Sequence, residues 1–288
     1  MTTDVVATRA SAAAEDVGGM ELLGVVVVAA IAAFGGAATA ARLGAPQLKA
    51  LGMPAAYVLA GWGTVRLCRR AGLPPSAFVA PPRPTRTWTL VLFAIPLLAL
   101  GVLLARAEVA VLARVAPGLA RALLAAASHS NVAEFVANAA VASSIGPIVE
   151  ELAVRGFLLH VWARRHGLRA AVLWTSVVFA VLHANPLDAF LFAITMAGLY
   201  VVSGSLLVPM AAHALYNLAL TVSALLAKRG STPSAAALAN VHWVTMAIEL
   251  VGVLAVLAAL LWRVTRGRWV LPEMHGGPTP EIGAGPPA

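Results

Sequence analysis

Long apolar runs separated by short polar and basic clusters make up most of this chain. A membrane-spanning helix needs about 20 apolar residues, each of which adds about 1.5 Å to its length. The stretch 107–130 differs, because Arg114 and Arg121 flank Pro117 and Gly118, and it is predicted to lie at the membrane surface as an interfacial segment. The pattern predicts about eight transmembrane helices, at 20–41, 52–67, 88–106, 133–162, 170–184, 187–203, 206–227 and 241–262.

The composition also predicts an all-α integral membrane protein. Of the 288 residues, 60% are hydrophobic and 11% are charged, whereas soluble domains are about half apolar and a quarter charged. These proportions exclude a soluble nucleic-acid binder, a disordered chain and a disulfide-stapled secreted module. The net charge of +8 comes from clusters between the apolar runs, where basic residues set membrane topology. Their distribution predicts a multi-pass protein of the cell membrane with both termini in the cytoplasm, and the Ala- and Arg-rich composition favours a bacterial host.

Three charged residues interrupt the fourth predicted span. Glu150, Glu151 and Arg155 each oppose insertion by about 2.5–3.5 kcal/mol when they lie near a helix centre. They are tolerable only if they pair or face a polar cavity between helices. Glu151 and Arg155 are four residues apart and can form an ion pair on one face, while Glu150 points about 100° away and has no partner in its own segment. A purely structural ion pair with a spare carboxylate is the alternative interpretation.

Two further spans carry polar side chains in regular positions. Phe179 and His183 lie one helical turn apart, as do His213 and Asn217 in the next span but one. A single membrane histidine is more often an interhelical hydrogen-bonding group than a catalyst, but buried polar groups must find partners. Counting residues from the cytoplasmic loop at 164–169 places Glu150 and His183 at the same depth in the membrane. The same count from the turn that precedes the seventh predicted span places His213 too close to the surface.

The chemistry of this set suits peptide hydrolysis. A carboxylate in a poorly solvated cavity is a good general base, so Glu150 is the candidate that activates water. Imidazole and carboxamide donors can stabilise the oxyanion that forms when a carbonyl is attacked. The chain has no H-E-x-x-H motif and no G-x-S-x-G motif. Glu150, His183 and His213 could still bind a metal as three ligands, and that alternative stays open at this point.

The three motifs together resemble a known family. Glu150-Glu151-x-x-x-Arg155, Phe179-x-x-x-His183 and His213-x-x-x-Asn217 follow in order on the fourth, fifth and seventh predicted spans, with Pro147 and Gly156-Phe157 beside the first and Gly204-Ser205 and Pro209 before the third. This is the pattern of the CAAX prenyl protease and bacteriocin-processing (CPBP, Abi) family of intramembrane glutamic endopeptidases.

The resemblance implies an all-helical fold of about eight spans and hydrolysis without a metal or other cofactor. Glu150 with His183 would activate water, while His213 and Asn217 would form the oxyanion site. Arg155 would orient the pair through Glu151, and Phe179 would support His183. The remaining histidines at span ends or in loops, such as His160, are predicted to be interfacial or solvated.

The resulting hypothesis is an intramembrane endopeptidase that acts on a membrane-associated peptide or protein, CAAX-like or leader-type. The alternatives are a non-catalytic immunity or scaffold protein that retains the polar cluster, and a metal-dependent membrane hydrolase. We expect the protein to contact the lipid bilayer and to have no nucleic-acid partner. The sequence does not predict the oligomeric state. The chain divides into five parts: a polar segment 1–19, helices and interfacial segment 20–130, catalytic helices 131–227, a loop with the last helix 228–271, and a disordered Pro/Gly-rich tail 272–288.

Overall fold

The computed structural model describes residues 49–82, 87–118, 132–183 and 185–229, together with scattered positions at 21–24, 247–262 and 271–272. Every regular element within these residues is helical, which confirms the all-α prediction. The predicted first and last spans, 20–41 and 241–262, lie mostly outside the described residues. The N-terminal segment, most of the loop and last helix, and nearly all of the tail lie outside them as well.

The described helices match the positions of six predicted spans. In chain order they are α1 (Lys49–Arg70), a 3₁₀ turn (Pro75–Phe78), α2 (Thr87–Val115), α3 (Val132–Ala142), α4 (Ile145–Glu151), a π-helical segment (Leu152–Leu158), α5 (Leu159–His166), α6 (Leu168–Val181), α7 (Pro186–Ser203) and α8 (Leu207–Arg229).

The fourth predicted span, 133–162, is not one continuous helix. A turn at Ser143 and Ser144 separates α3 from α4, and the backbone then widens into the π-helical segment directly after the two glutamates. Pro147 stands in the first turn of α4, where the missing N–H needs no intrahelical acceptor. The prediction of a single helix was wrong because two serines within an apolar run do not by themselves indicate a turn.

Helix α2 also departs from its prediction. The expected boundary at residue 106 between span and interfacial segment is absent, because the helix continues to Val115. It stops where Ala116 precedes Pro117, a position at which helical backbone is disfavoured. The added turns bring the Glu108 carboxylate to the beginning of α7, where it accepts a hydrogen bond of 2.8 Å from the backbone N–H of Leu187.

Helix α4 and the π-helical segment occupy the centre of the described bundle. Helices α1 and α8 both pack on them, with α3 beside α4 and α6 beside the π-helical segment. Helices α5, α6 and α7 follow one another as tightly packed neighbours, and α2 lies against α7 and α8. The buried core between these elements includes Leu73, Phe78, Leu100, Phe157, Leu158, Leu159, Met196, Tyr200 and Leu206.

The outer surface of the bundle is rich in large apolar side chains, while several charged and polar ones lie inside. Trp62, Ile95, Trp174 and Val181 are more than half exposed, whereas Glu151 and Arg155 are essentially inaccessible. Among the described residues, α7 is the one helix long and apolar enough to cross a bilayer by length and composition, with a mean hydropathy of 1.6. The number of eight spans stays a prediction.

The turn between α7 and α8 is buried within the bundle. Gly204 closes α7 in the left-handed conformation (φ 71°) that glycine adopts without strain. Ser205 and Leu206 are fully buried, and the Leu206 N–H donates a 2.8 Å hydrogen bond to the Phe78 carbonyl of the 3₁₀ turn. Because α8 starts below the surface, His213 reaches the depth of Glu150, although the residue count placed it too shallow.

His160 is likewise not interfacial or solvated. Its side chain is buried in α5, and its Nε2 lies 2.8 Å from the Tyr200 hydroxyl of α7, to which it is hydrogen-bonded. The prediction was wrong because α5 packs on α6 and beside α7, so the end of the fourth predicted span lies inside the bundle and not at its edge.

Candidate active site

Two adjacent glutamates end α4 and point in different directions. Glu151 is completely buried and faces the bundle interior, while the side chain of Glu150 is 21% exposed and contacts Tyr57 of α1. Their separation follows from helix geometry, since consecutive side chains diverge by about 100°. The two carboxylates therefore belong to different parts of the site.

Glu151 pairs with Arg155, as its spacing predicts. Arg155 Nη1 donates to Glu151 Oε1 at 3.0 Å, and Nη2 donates to the Ala193 carbonyl of α7 at 2.8 Å. The guanidinium also lies over the Phe179 ring, 5.0 Å from its centroid. A buried charge of either sign would be very unfavourable alone, so the pair holds α4, α6 and α7 in one arrangement.

His213 bridges the two glutamates. Its Nδ1 lies 2.9 Å from Glu151 Oε1, and because a carboxylate only accepts, Nδ1 carries the proton of this bond. The opposite nitrogen, Nε2, lies 3.7 Å from Glu150 Oε2. Phe192 packs edge-on against the imidazole at 4.7 Å between centroids, which fixes the ring plane. Glu151 therefore orients His213 toward Glu150.

His183 approaches Glu150 from the opposite side, just beyond the end of α6. Its Nδ1 donates to the Phe179 carbonyl at 2.6 Å, and the two rings stack at 4.1 Å between centroids. A neutral imidazole with its proton on Nδ1 presents Nε2 as an acceptor. That Nε2 lies 3.9 Å from Glu150 Oε2. The one-turn spacing of Phe179 and His183 therefore allows Phe179 to orient the His183 ring.

Glu150 Oε2 is the point on which the histidines converge. The atom is buried and has no hydrogen-bond partner among the described residues. Separations of 3.7 and 3.9 Å are too long for direct hydrogen bonds and typical of polar atoms bridged by water. Its other oxygen, Oε1, accepts a hydrogen bond from the Tyr57 hydroxyl of α1.

Asn217 lies one turn beyond His213 but makes a different contact. Its Nδ2 donates a 2.7 Å hydrogen bond to the carbonyl of Ala142, the last residue of α3. This bond satisfies a carbonyl that the broken helix leaves without an intrahelical donor. The second N–H of the amide stays available, and the side chain lines the same cavity as His183 and His213.

A cavity of about 230 Å³ opens beside these groups. His183, His213 and Asn217 line it together with Phe179 and Phe192 and with residues that sequence reasoning did not assign to the site: Asn185, Asp188, Ala189, Tyr216 and Leu220. Asp188 lies in the first turn of α7 and accepts a hydrogen bond from the Tyr216 hydroxyl at 3.2 Å.

Tyr57 and Tyr216 are the polar contacts that sequence reasoning missed. The signal that could have found them is their rarity, since the chain has three tyrosines and a tyrosine hydroxyl in an apolar helix needs a partner. Each hydroxyl bonds a polar side chain of another segment: Tyr57 bonds Glu150, Tyr200 bonds His160, and Tyr216 bonds Asp188.

A metal site was one of the alternatives that the sequence allowed. Within the described residues, no group of three or more His, Cys, Asp or Glu side chains is arranged to hold a metal ion. The donor geometry explains this, because His213 Nδ1 is directed at Glu151 and His183 Nδ1 at a carbonyl. Each ring then has one nitrogen left, Nε2, which lies 3.7 Å (His213) or 3.9 Å (His183) from the shared oxygen Glu150 Oε2.

Residues 132–219 match a family model described as Type II CAAX prenyl endopeptidase Rce1-like. The match begins with α3, ends within α8 and includes all three motifs, so it confirms the family resemblance that the motifs indicated. No curated protein and no solved structure matches the chain. The segment 132–219 is therefore similar to a family of CAAX endopeptidases whose members are membrane proteins, while α1 and α2 lie outside the matched residues.

Proposed function

We propose that the chain is an intramembrane endopeptidase in which Glu150 activates a water molecule without a metal. The observation that carries the proposal is the convergence of two imidazole nitrogens on Glu150 Oε2, a buried oxygen without a hydrogen-bond partner among the described residues. A general base needs a free acceptor within one water of its target, and this oxygen lies beside a cavity of about 230 Å³.

Water activation uses Glu150 and His183. A water between Oε2 and His183 Nε2 would direct its two hydrogens at two acceptors, which leaves an oxygen lone pair for attack. As the water oxygen bonds to the substrate carbonyl carbon, its proton passes to Glu150. General-base catalysis of this kind raises the rate of a reaction by about 100- to 10,000-fold.

Stabilisation of the oxyanion uses His213 and Asn217. The attacked carbonyl oxygen gains a negative charge, and donors held in a poorly solvated cavity stabilise it more strongly than water does. His213 Nδ1 donates to Glu151 at 2.9 Å, so the ring is held with Nε2 toward the cavity, where an Nε2–H would donate to this oxygen. The amide hydrogen of Asn217 that is not bonded to Ala142 supplies a second donor.

The reaction ends with cleavage of the C–N bond. The tetrahedral intermediate collapses, the carbonyl reforms, and the proton held by Glu150 passes to the leaving nitrogen. The products are a carboxylic acid and an amine, so the balance requires one water and no oxidant, reductant or cofactor.

The substrate is a membrane-associated peptide or protein, CAAX-like or leader-type. Three observations support the membrane setting: the exposed apolar side chains on the outside of the bundle, the apolar helix α7 and the family of the 132–219 domain. The proposed location is the bacterial cell membrane, with both termini in the cytoplasm.

The test compares purified wild type with Glu150→Gln on a panel of membrane-tethered peptides. Gln keeps the shape but cannot accept the proton, so cleavage should fall by about 100-fold or more. Glu108→Gln is the matched control, because the amide oxygen can still accept from Leu187 N–H and the four proposed catalytic side chains are unchanged.

The outcomes of this test distinguish the proposed function from its alternatives. Equal cleavage by wild type and Glu150→Gln contradicts Glu150 as the base. Cleavage by neither, with folded protein in both preparations, favours a non-catalytic immunity or scaffold protein. Loss of wild-type cleavage on chelation, restored by added metal, favours a metal-dependent hydrolase.

A further inference from the structure

Helix α1 approaches α4 unusually closely beside Glu150. A Cβ placed on Gly61 of α1 would lie 3.1 Å from Val149 Cγ2, and one placed on Gly146 of α4 would lie 3.3 Å from both Cζ and Oη of Tyr57. Tyr57 and Gly61 are one turn apart on α1, as Gly146 and Glu150 are on α4. The two glycines let the backbones approach until the phenol meets the carboxylate.

The contact divides the two oxygens of Glu150 between different tasks. Tyr57 Oη donates to Oε1, while Oε2 faces His183 and His213. The terminal torsion of a glutamate is broad and roughly two-fold, so a carboxylate without a fixed donor samples many orientations. A charge-assisted bond to one oxygen restricts that freedom.

We propose that Tyr57 is a positioning residue for Glu150, holding its carboxylate so that Oε2 is presented to the water-binding gap. This inference rests on the proposed peptidase function, and it extends the functional unit to α1, which lies outside the matched segment 132–219. Tyr57 contacts neither water nor substrate in this role; it acts through Glu150.

The other charged groups and histidines around Glu150 are His183 beyond α6, His213 on α8, and Glu151 with its partner Arg155 on the same chain segment. These groups stay in place when the Tyr57 hydroxyl alone is removed. Its loss should therefore free the orientation of the carboxylate and slow the step in which Glu150 takes up the proton of the water.

The experiment compares Tyr57→Phe with Tyr200→Phe, both in the full chain and in the same detergent. Each change deletes one hydroxyl that bonds a titratable side chain, but Tyr200 bonds His160, away from the site. For Tyr57→Phe, kcat should fall by about ten- to a hundredfold, the range expected for one lost bond to a charged group, with little change in KM. In Tyr200→Phe, both kcat and KM should stay close to those of wild type.

A second substitution moves the phenol without deleting it. Gly146→Ala places a methyl group 3.3 Å from the Tyr57 hydroxyl, in a gap that must open to admit it. It should reproduce the fall in kcat, whereas Gly118→Ala, where nothing lies within 4 Å, should not. An unchanged kcat in Tyr57→Phe would overturn the proposal, as would an equal change in Tyr200→Phe.

A spectroscopic measurement separates this proposal from the peptidase function itself. The infrared carboxylate bands of Glu150 can be isolated by subtracting the Glu150→Gln spectrum, without any substrate. They should shift in Tyr57→Phe and stay in place in Tyr200→Phe, even if no peptide is cleaved. Bands that do not move in Tyr57→Phe contradict the hydrogen bond and with it the positioning role.

Discussion

Replacing Arg155 with methionine removes the positive half of the buried pair at the centre of the bundle. The guanidinium bonds Glu151 at 3.0 Å and the Ala193 carbonyl at 2.8 Å, and the two side chains are 1% and 0% exposed. Methionine fills a similar volume and keeps a contact with Phe179. The substitution therefore isolates the loss of charge from the loss of packing.

The expected destabilisation follows from the burial of the remaining partner. Breaking a buried pair by removing one member costs about 3–5 kcal/mol, because the other charge is left without compensation. His213, at 2.9 Å from Glu151, offers partial compensation if its ring takes up a proton. We therefore expect a loss of about 3 kcal/mol, near the lower end of that range.

A double-mutant cycle measures the pair directly. The double variant Glu151→Gln with Arg155→Met has no uncompensated charge, and it should be more stable than Arg155→Met alone, with a coupling energy of about 2 kcal/mol or more. Free energies of unfolding would be measured by SDS titration in mixed micelles. Arg165→Met, an exposed change on α5, should stay within about 0.5 kcal/mol of wild type.

Two results would refute the reasoning. A loss below about 1 kcal/mol in Arg155→Met would place the pair in a well-solvated environment, where ion pairs contribute little. Strict additivity of the two single changes would mean that the charges do not interact in the folded state.

Two further predictions concern packing around the cavity. Gly101→Ala places a methyl group 1.8 Å from the Tyr216 hydroxyl, so it should displace that ring and lower the stability of the protein by about 1–3 kcal/mol. Thermal unfolding in detergent measures this loss, with Gly118→Ala, which has open space, as the control. Equal melting temperatures of the two variants would contradict the prediction. Asn217→Ala leaves the Ala142 carbonyl without its 2.7 Å donor and should cost about 1–3 kcal/mol while lowering kcat; unchanged stability and turnover would exclude both roles.

The motif spacing predicted much of the site. Four-residue separation placed Glu151 beside Arg155, and the structure has that bond. The same geometry left Glu150 without a partner in its own segment, and its contacts indeed come from α1, His183 and His213. Local periodicity carries this information because helix geometry converts spacing into direction.

The remaining features depend on contacts between segments distant in sequence. Nothing in the apolar run around Tyr57 marks it as the neighbour of a residue 93 positions away. The burial of the turn at Ser205 likewise depends on a backbone bond from Leu206 to Phe78. Apolar patterning predicts that a helix exists and which face is polar, but the pairing of helices depends on shape, and here on glycines.

The widened backbone of Leu152–Leu158 has a consequence for insertions and deletions. In this segment hydrogen bonds close over five residues, as from Leu159 N to Val154 O, and not over four as in an α-helix. Because each of these rings holds one residue more than an α-helical ring, deleting one residue would let the segment relax into α-helix and leave α5 in nearly the same direction relative to the glutamates. The backbone here can therefore absorb a one-residue deletion, whereas the same deletion within α5 would turn the residues that follow by about 100°.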